Sequence, residues 1–198
     1  IIPIVAGLIL GTLLALMRMS KNPAMEQFAR FYAWIFRGTP LLIQLVIVYA
    51  GLPQLGIRLP VEVAALLALT LNETAYLSEI IRSGFMGVAP GQREAALSLG
   101  APSWLIVWKV TLPQAFRLMI PPLGNSVNGL LKATSICSVI SMEELMRRSQ
   151  MVMQEKFDVL EVFAAAAMMY LMMTTVWGLI QRQLEIRFHC ESVPATNA

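Results

Sequence analysis

Groups that do chemistry in water are scarce in this sequence. Only 14% of its 198 residues are charged, and it has one histidine, His189, and two cysteines, Cys137 and Cys190. A soluble domain carries about a quarter charged residues. Cys137 lies in an apolar run and Cys190 in the polar end, so they are not placed to pair, and neither they nor His189 show metal-ligand spacing. A Gly-x4-Gly-Lys-Ser/Thr phosphate loop is missing. The nearest spacing, Gly124 to Gly129, is followed by Leu130 where the lysine must stand, so a nucleotide binds elsewhere. No nucleophile–base set and no zinc-type His-Glu pattern occurs, which argues against an intramembrane enzyme. A dense basic run is also lacking, and with it support for nucleic-acid binding.

What is present is apolar. Hydrophobic residues make up 57% of the chain, and the mean hydropathy is +0.66. The expected fold is all-α, a polytopic membrane protein with about five transmembrane helices of ~20 residues and short connections. Ile1 to Met17 is the first apolar run; Gly7 and Gly11 lie four apart in it, a spacing that lets a neighbouring helix pack closely in lipid, although isolated glycines are also tolerated in such helices. Arg18, Lys21, Arg30 and Arg37 follow, interleaved with Phe28, Phe31, Tyr32, Trp34 and Phe36, the pattern of an interfacial helix at headgroup depth. Pro40 opens a second span, Leu41 to about Leu55. The third runs from about Val61 to Ile81, the fourth from about Leu118 to Ile140, and the fifth from about Leu160 to Ile180. A mixed-charge, helix-like connection, Met142 to Asp158, joins the last two. Met168, Met169, Met172 and Met173 in the fifth span could bind soft Cu(I), but adaptable packing is the plainer reading.

Lys and Arg counted per side set the orientation. The first loop carries Arg18, Lys21, Arg30 and Arg37, the third Arg82, Arg93, Lys109 and Arg117, and the tail Arg182 and Arg187. The second loop has Arg58 alone, and the fourth has Arg147, Arg148 and Lys156 offset by acids. The N-terminus is therefore expected outside and the C-terminus in the cytoplasm. Glu73 and Lys132 fall near the middles of the third and fourth spans, where an ionised group costs ~2.5–3.5 kcal/mol or more and rarely faces lipid. Opposite charges at similar depth suggest either two poles of a substrate path or a packing pair; lack of any mutual contact is the third option. In the first case Glu73 would meet an ammonium and Lys132 a carboxylate, with Asn72, Tyr76, Thr134 and Ser135 as neutral hydrogen-bonding groups. Glu79, nearly two turns on from Glu73, reads as a gate or an interhelix bond before a substrate contact.

The stretch Glu94 to Pro113, EAALSLGAPSWLIVWKVTLP, is too polar to sit in lipid between two apolar runs. Glu94 suits a polar anchor at a helix start, the small Ala95 and Ala96 allow close approach by a partner, and Gly100 suits a turn with positive φ. Pro102 and Ser103 suit the start of a second short helix, and Leu112-Pro113 is expected to close the segment. With Val110, these positions resemble the Glu-Ala-Ala motif of the membrane subunits of bacterial ABC importers. Arg37-Gly38-Thr39-Pro40 with its LLIQL, and Pro121-Pro122-Leu123-Gly124-Asn125, look like the polar-amino-acid permeases, the histidine/glutamine/arginine group. The likeness runs from about Gly11 to about Arg187.

The resemblance implies a type I ABC importer permease (MetI-like) fold, with a transmembrane permease domain over 1–188, the coupling-helix segment at about 90–113, and a polar tail over 189–198. It implies a bacterial inner-membrane protein that carries no cofactor itself. ATP and magnesium would bind a cytoplasmic ABC ATPase dimer, which Glu94, Ala95, Ala96, Gly100 and Pro113 would couple to transport. An extracytoplasmic substrate-binding protein, a second permease subunit in a homo- or heterodimer, and membrane lipid would be the other partners; nucleic acid would not be one. Against the family, the first helix looks clipped at its start, which reads as a span with its beginning missing and not as a signal peptide. Relatives often carry Asp where this chain has Ala133, between Lys132 and Thr134, and a small or polar residue where it has Glu73. The acid has then moved between helices, which fits a basic amino acid or an opine-like conjugate as substrate. A secondary amino-acid transporter or a channel subunit is the alternative; few spans, no obvious inverted repeat and a loop shaped for docking count against it.

Overall fold

The computed structural model describes residues 1–188 and 190, all in helices and their connections. Helix α1 is Ile2–Arg18 and α2 is Pro23–Gly38. The Asn22 side chain caps α2 by accepting from the Ala24 amide at 3.0 Å, and Pro23 fills the first turn, where a missing N–H costs nothing. Thr39 precedes Pro40 and is held extended (φ −115°, ψ 145°), as sterics before proline require. The chain turns there by 103° into α3, Leu41–Val46, which continues as a π-helical turn, Ile47–Gly51, and a 3-10 turn, Leu52–Leu55.

Helix α4, Val61–Met86, is the centre of the bundle. Ala64, Ala65, Ala68, Leu69, Ala75, Leu77 and Ser78 are all buried along it. Gly7 of α1 lies over Glu73, Gly11 over Leu77 and Ser78, and Ala15 packs with Ile81, so α1 and α4 run in the same direction. A Cβ on Gly11 would stand 3.1 Å from the Ser78 nitrogen and 3.2 Å from the Thr74 oxygen, so the small-residue spacing is used for close backbone approach.

After α4 come α5, Pro90–Ser98, and α6, Ser103–Ile106. A π-helical turn, Val107–Thr111, leads without a break into α7, Leu112–Ala133, and a 3-10 segment, Thr134–Ile140. Helix α8 is Leu145–Lys156, where the Glu144 carboxylate accepts from the amides of Met146 (2.8 Å) and Arg147 (2.6 Å). Helix α9, Val159–Arg187, closes the fold and buries only Ala166.

The five expected spans correspond to α1, α3 with its continuation, α4, α7 with its 3-10 segment, and α9. Among the described residues α9 alone is both long and apolar enough to cross a bilayer by itself; the bent pair of α2 and α3 passes jointly, and α1 is apolar but shorter. The third span extends past Ile81 to Met86 and the fifth past Ile180 to Arg187. The expected polar tail lies outside the described residues apart from Cys190.

The two π-helical turns have one cause. Each ends two residues before a proline, Pro53 or Pro113, whose ring nitrogen cannot donate to the carbonyl four residues back. The helix widens instead of ending: Leu52 N–H bonds the Ile47 carbonyl and Leu112 N–H the Val107 carbonyl, five residues back in each case.

Candidate functional site

The polar elbow after α4 has the expected shape at its turn and a different one at both ends. Gly100 takes φ +76°, with its amide bonded to the Leu97 carbonyl and that of Ala101 to the Ala96 carbonyl, which caps α5. Pro102 then introduces α6 at Ser103, as its sequence suggests. Glu94, however, does not start a helix. Pro90 does, so Glu94 projects from the middle of α5. Leu112-Pro113 closes nothing, because the π-helical turn carries the helix on into α7.

The elbow presents apolar and charged groups outward together. Leu99 is 87% exposed, Trp104 66% and Trp108 64%. Glu94 and Ala95 are exposed and Ala96 half-buried. Beneath α5 a cleft of about 510 Å³ is bounded by Phe85, Val88, Arg93, Glu94, Ile106 and Thr111. Large apolar side chains gathered on one exposed elbow are a feature of interaction surfaces.

Within the bundle, the residues expected along a substrate path separate into three groups. Asn72 is buried and donates to the Phe36 carbonyl (3.1 Å) and to Gln44 Oε1 (3.0 Å). Gln44 donates in turn to the Phe36 carbonyl (2.9 Å) and to the Thr39 carbonyl (3.0 Å) and hydroxyl (2.8 Å). Together they clasp the α2–α3 bend. Glu73 is buried between α1 and α7, and its carboxylate accepts from the Ser126 hydroxyl at 2.8 Å. Tyr76 is exposed, with the Arg37 guanidinium 5.7 Å over its ring.

Lys132, Thr134 and Ser135 form the third group. Lys132 is exposed. Thr134 and Ser135 donate back to the carbonyls of Leu131 (2.8 Å) and Lys132 (2.7 Å), and Thr134 borders an apolar cavity of about 650 Å³ shared with Leu69, Leu130, Cys137 and Trp177. The expectation of similar depth for Glu73 and Lys132 fails. Ser126 marks the level of Glu73 on α7, and Lys132 lies about 9 Å further along that helix. No ion pair joins them among the described residues.

Glu79 is an interhelix bond. Its carboxylate contacts Arg18 of α1, Arg37 of α2 (3.1 Å) and Arg82 of its own helix. The sequence places these arginines in loops and at an interfacial helix and does not show that they converge on Glu79. Nor does it show directly the groove where α9 meets the Pro121–Asn125 stretch. There Trp177 Nε1 donates to the Gly124 carbonyl at 2.8 Å, and a Cβ on Gly124 would collide with the Gln181 side chain. Gln181 Nε2 reaches the Pro121 carbonyl (3.4 Å) and Glu185 Oε1 (2.8 Å). A Trp and a Gln four residues apart in an apolar span were the available signal, since both need partners there.

The profile of the family described as "Binding-protein-dependent transport system inner membrane component" matches residues 7–189. A Rickettsia bellii protein named as a glutamine transport system permease is 41% identical over 93% of this chain and 85% of its own length. The arginine transport system permease protein of Bacillus subtilis is 38% identical over 93% of this chain and 85% of its own. The crystal structure of an amino acid ABC transporter superposes with a TM-score of 0.90 at 36% identity, covering 94% of this chain and 87% of that one. An inward-facing methionine ABC transporter, at TM-score 0.71 and 19% identity, shares the fold. The chain belongs to the family of binding-protein-dependent transport system inner membrane components, as a membrane permease component of an amino-acid importer.

Proposed function

We propose that this permease carries amino acids with a cationic side chain inward, driven by ATP hydrolysis in a cytoplasmic ABC ATPase dimer that supplies the nucleotide and magnesium sites. One observation carries the substrate reading: Glu73 is a carboxylate near the middle of α4 whose partner is a neutral hydroxyl, with no cationic group on it among the described residues. An acid at that depth without a counter-ion is costly and marks a place for a cation. Lys132, about 9 Å nearer the other end of the path, suits a substrate carboxylate. The relatives named for glutamine and arginine fit a polar amino-acid cargo.

The elbow from Pro90 to Thr111 serves as the docking piece for the ATPase. The N-terminus lies outside and the C-terminus in the cytoplasm, which puts the elbow on the ATP side. A second permease, the same chain or a paralogue, covers the open faces of α7 and α9, and an extracytoplasmic binding protein delivers the substrate. Nucleotide binding draws the elbows together and turns the path outward; hydrolysis returns it inward.

The test is ATPase stimulation of the reconstituted complex by its binding protein, loaded in turn with basic, neutral and acidic amino acids. Basic cargo should stimulate most, and Glu73→Gln should abolish that preference. Transport should stay lost in the double mutant Glu73→Lys with Lys132→Glu. Recovery of transport in the double mutant would show that neither residue reads the polarity of the cargo and would sink the substrate reading.

A further inference from the structure

The corner where α1, α2 and α4 meet holds more positive charge than it neutralises. Arg18 and Arg37 share Glu79 Oε2, and Arg82 takes Oε1. Three guanidinium groups on one carboxylate leave two positive charges. Their other neighbours are neutral: Arg82 Nη1 meets the Met86 sulfur, Arg82 Nε is buried without an acceptor among the described residues, and Arg37 lies over Tyr76. Part-buried like charges without full compensation are unstable, and planar guanidinium forks suit phosphate oxygens. The cluster is reachable, since the Arg37 side chain is 41% exposed.

Its depth points to the source of the anion. Glu79 lies about 27 Å along α4 from Val61, against a hydrocarbon core about 30 Å thick. Helix α2, which carries Arg37, buries Ala29 and Ala33 and turns Phe28, Phe31 and Trp34 outward, Trp34 at 70% exposure. Outward aromatics beside basic groups at that depth are the features that meet lipid headgroups. We propose that the α1–α2–α4 corner binds the phosphate of an anionic phospholipid headgroup through Arg18, Arg37 and Arg82, with the aromatic face of α2 against the acyl chains. A free phosphate would satisfy the arginines but not the aromatic face. The proposal needs only that the chain spans the membrane, whatever substrate it carries.

The assembled importer in phosphatidylcholine nanodiscs, with spin-labelled phosphatidylglycerol added, gives the test by the motionally restricted fraction. The wild type should prefer phosphatidylglycerol over spin-labelled phosphatidylcholine. Arg37→Gln should lower that preference about five-fold, and Glu79→Gln, which removes the competing carboxylate, should raise it by a similar factor. Arg58→Gln, at the far end of the bundle, should leave it unchanged. A merely structural cluster predicts that Arg37→Gln and Glu79→Gln move the same way, since both break one ion pair. Movement in the same direction, no preference in the wild type, or displacement by inorganic phosphate as effective as by unlabelled phosphatidylglycerol overturns the proposal. Should Glu79→Gln not assemble, Arg37→Lys decides: it must keep the preference that Arg37→Gln loses, and equal behaviour of the two overturns it.

Discussion

Replacing Gly11 by alanine should weaken the packing of α1 on α4. The new methyl carbon would sit 3.1 Å from Leu77 Cβ, 3.1 Å from the Ser78 nitrogen and 3.2 Å from the Thr74 oxygen. Optimal carbon contacts lie at about 3.5–4.0 Å. Two of the three atoms are backbone and the third is a Cβ, so no side chain can rotate away and α1 must lift as a whole. Overpacking of this kind costs about 1–3 kcal/mol, and the better helix propensity of alanine returns up to about 1 kcal/mol. The net expectation is a loss of about 1 kcal/mol, and more for Gly11→Leu. At Gly7 one of the nearest atoms is Leu77 Cδ1 at 3.2 Å, the mobile end of a side chain, so Gly7→Ala should be milder. Gly129 has nothing within 4 Å of an added Cβ, so Gly129→Ala should be neutral or stabilising. Reversible unfolding of the purified chain in mixed detergent micelles, followed by tryptophan fluorescence, ranks the three. Equal midpoints for Gly11→Ala and Gly129→Ala would refute the close-approach argument.

Three further outcomes are expected. Gly100→Pro cannot adopt φ +76°, and Glu94→Lys reverses an exposed charge on α5; each should leave membrane insertion intact and ATPase activity present while transport falls, and normal transport in vesicles by either variant would count against the elbow as the docking piece. Asn72→Ala leaves Gln44 Oε1 buried without its donor, at a cost of about 1–3 kcal/mol; a thermal melt no lower than that of Tyr76→Phe would remove the clasp at the α2–α3 bend from the account. Cys190, whose thiol is pushed above its usual range by burial and then by the Glu185 charge, is mostly protonated at neutral pH and should react slowly with maleimide, faster as pH rises; labelling of Cys190 by an impermeant maleimide from the outer face of sealed cells would invert the orientation.

The sequence disclosed best those features whose cause is local. Pro40 marked the opening of the second span, Gly100 the left-handed turn, and Pro102-Ser103 the start of α6, because each follows from the sterics of one or two residues. Pro113 shows where locality ends. A proline says that one helical hydrogen bond is missing; whether the helix stops or widens into a π-helical turn depends on whether packing on both sides holds it in line, and here α5 and α4 do so. Glu94 stands inside α5 for a related reason. An acid suits the start of a helix, but Pro90, with nothing polar to announce it, sets the first turn.

The intramembrane polar residues divide by how far their hydrogen-bonding capacity is spent, and no sequence period reports that. Asn72 commits its amide donors to Phe36 and Gln44, and Gln44 commits its own across the bend. Trp177 and Gln181 do the same toward the Pro121–Asn125 stretch. Such groups hold helices. Glu73 has one neutral hydroxyl on its carboxylate and no cation among the described residues, and Arg18, Arg37 and Arg82 keep positive charge that one carboxylate cannot balance. Hydrogen bonds satisfy lone pairs, but only an opposite charge removes the cost of keeping an ion out of water. Those two places, Glu73 and the arginine corner, are the ones to which the two proposals assign a molecule from outside the chain, a cationic cargo at the first and an anionic headgroup at the second.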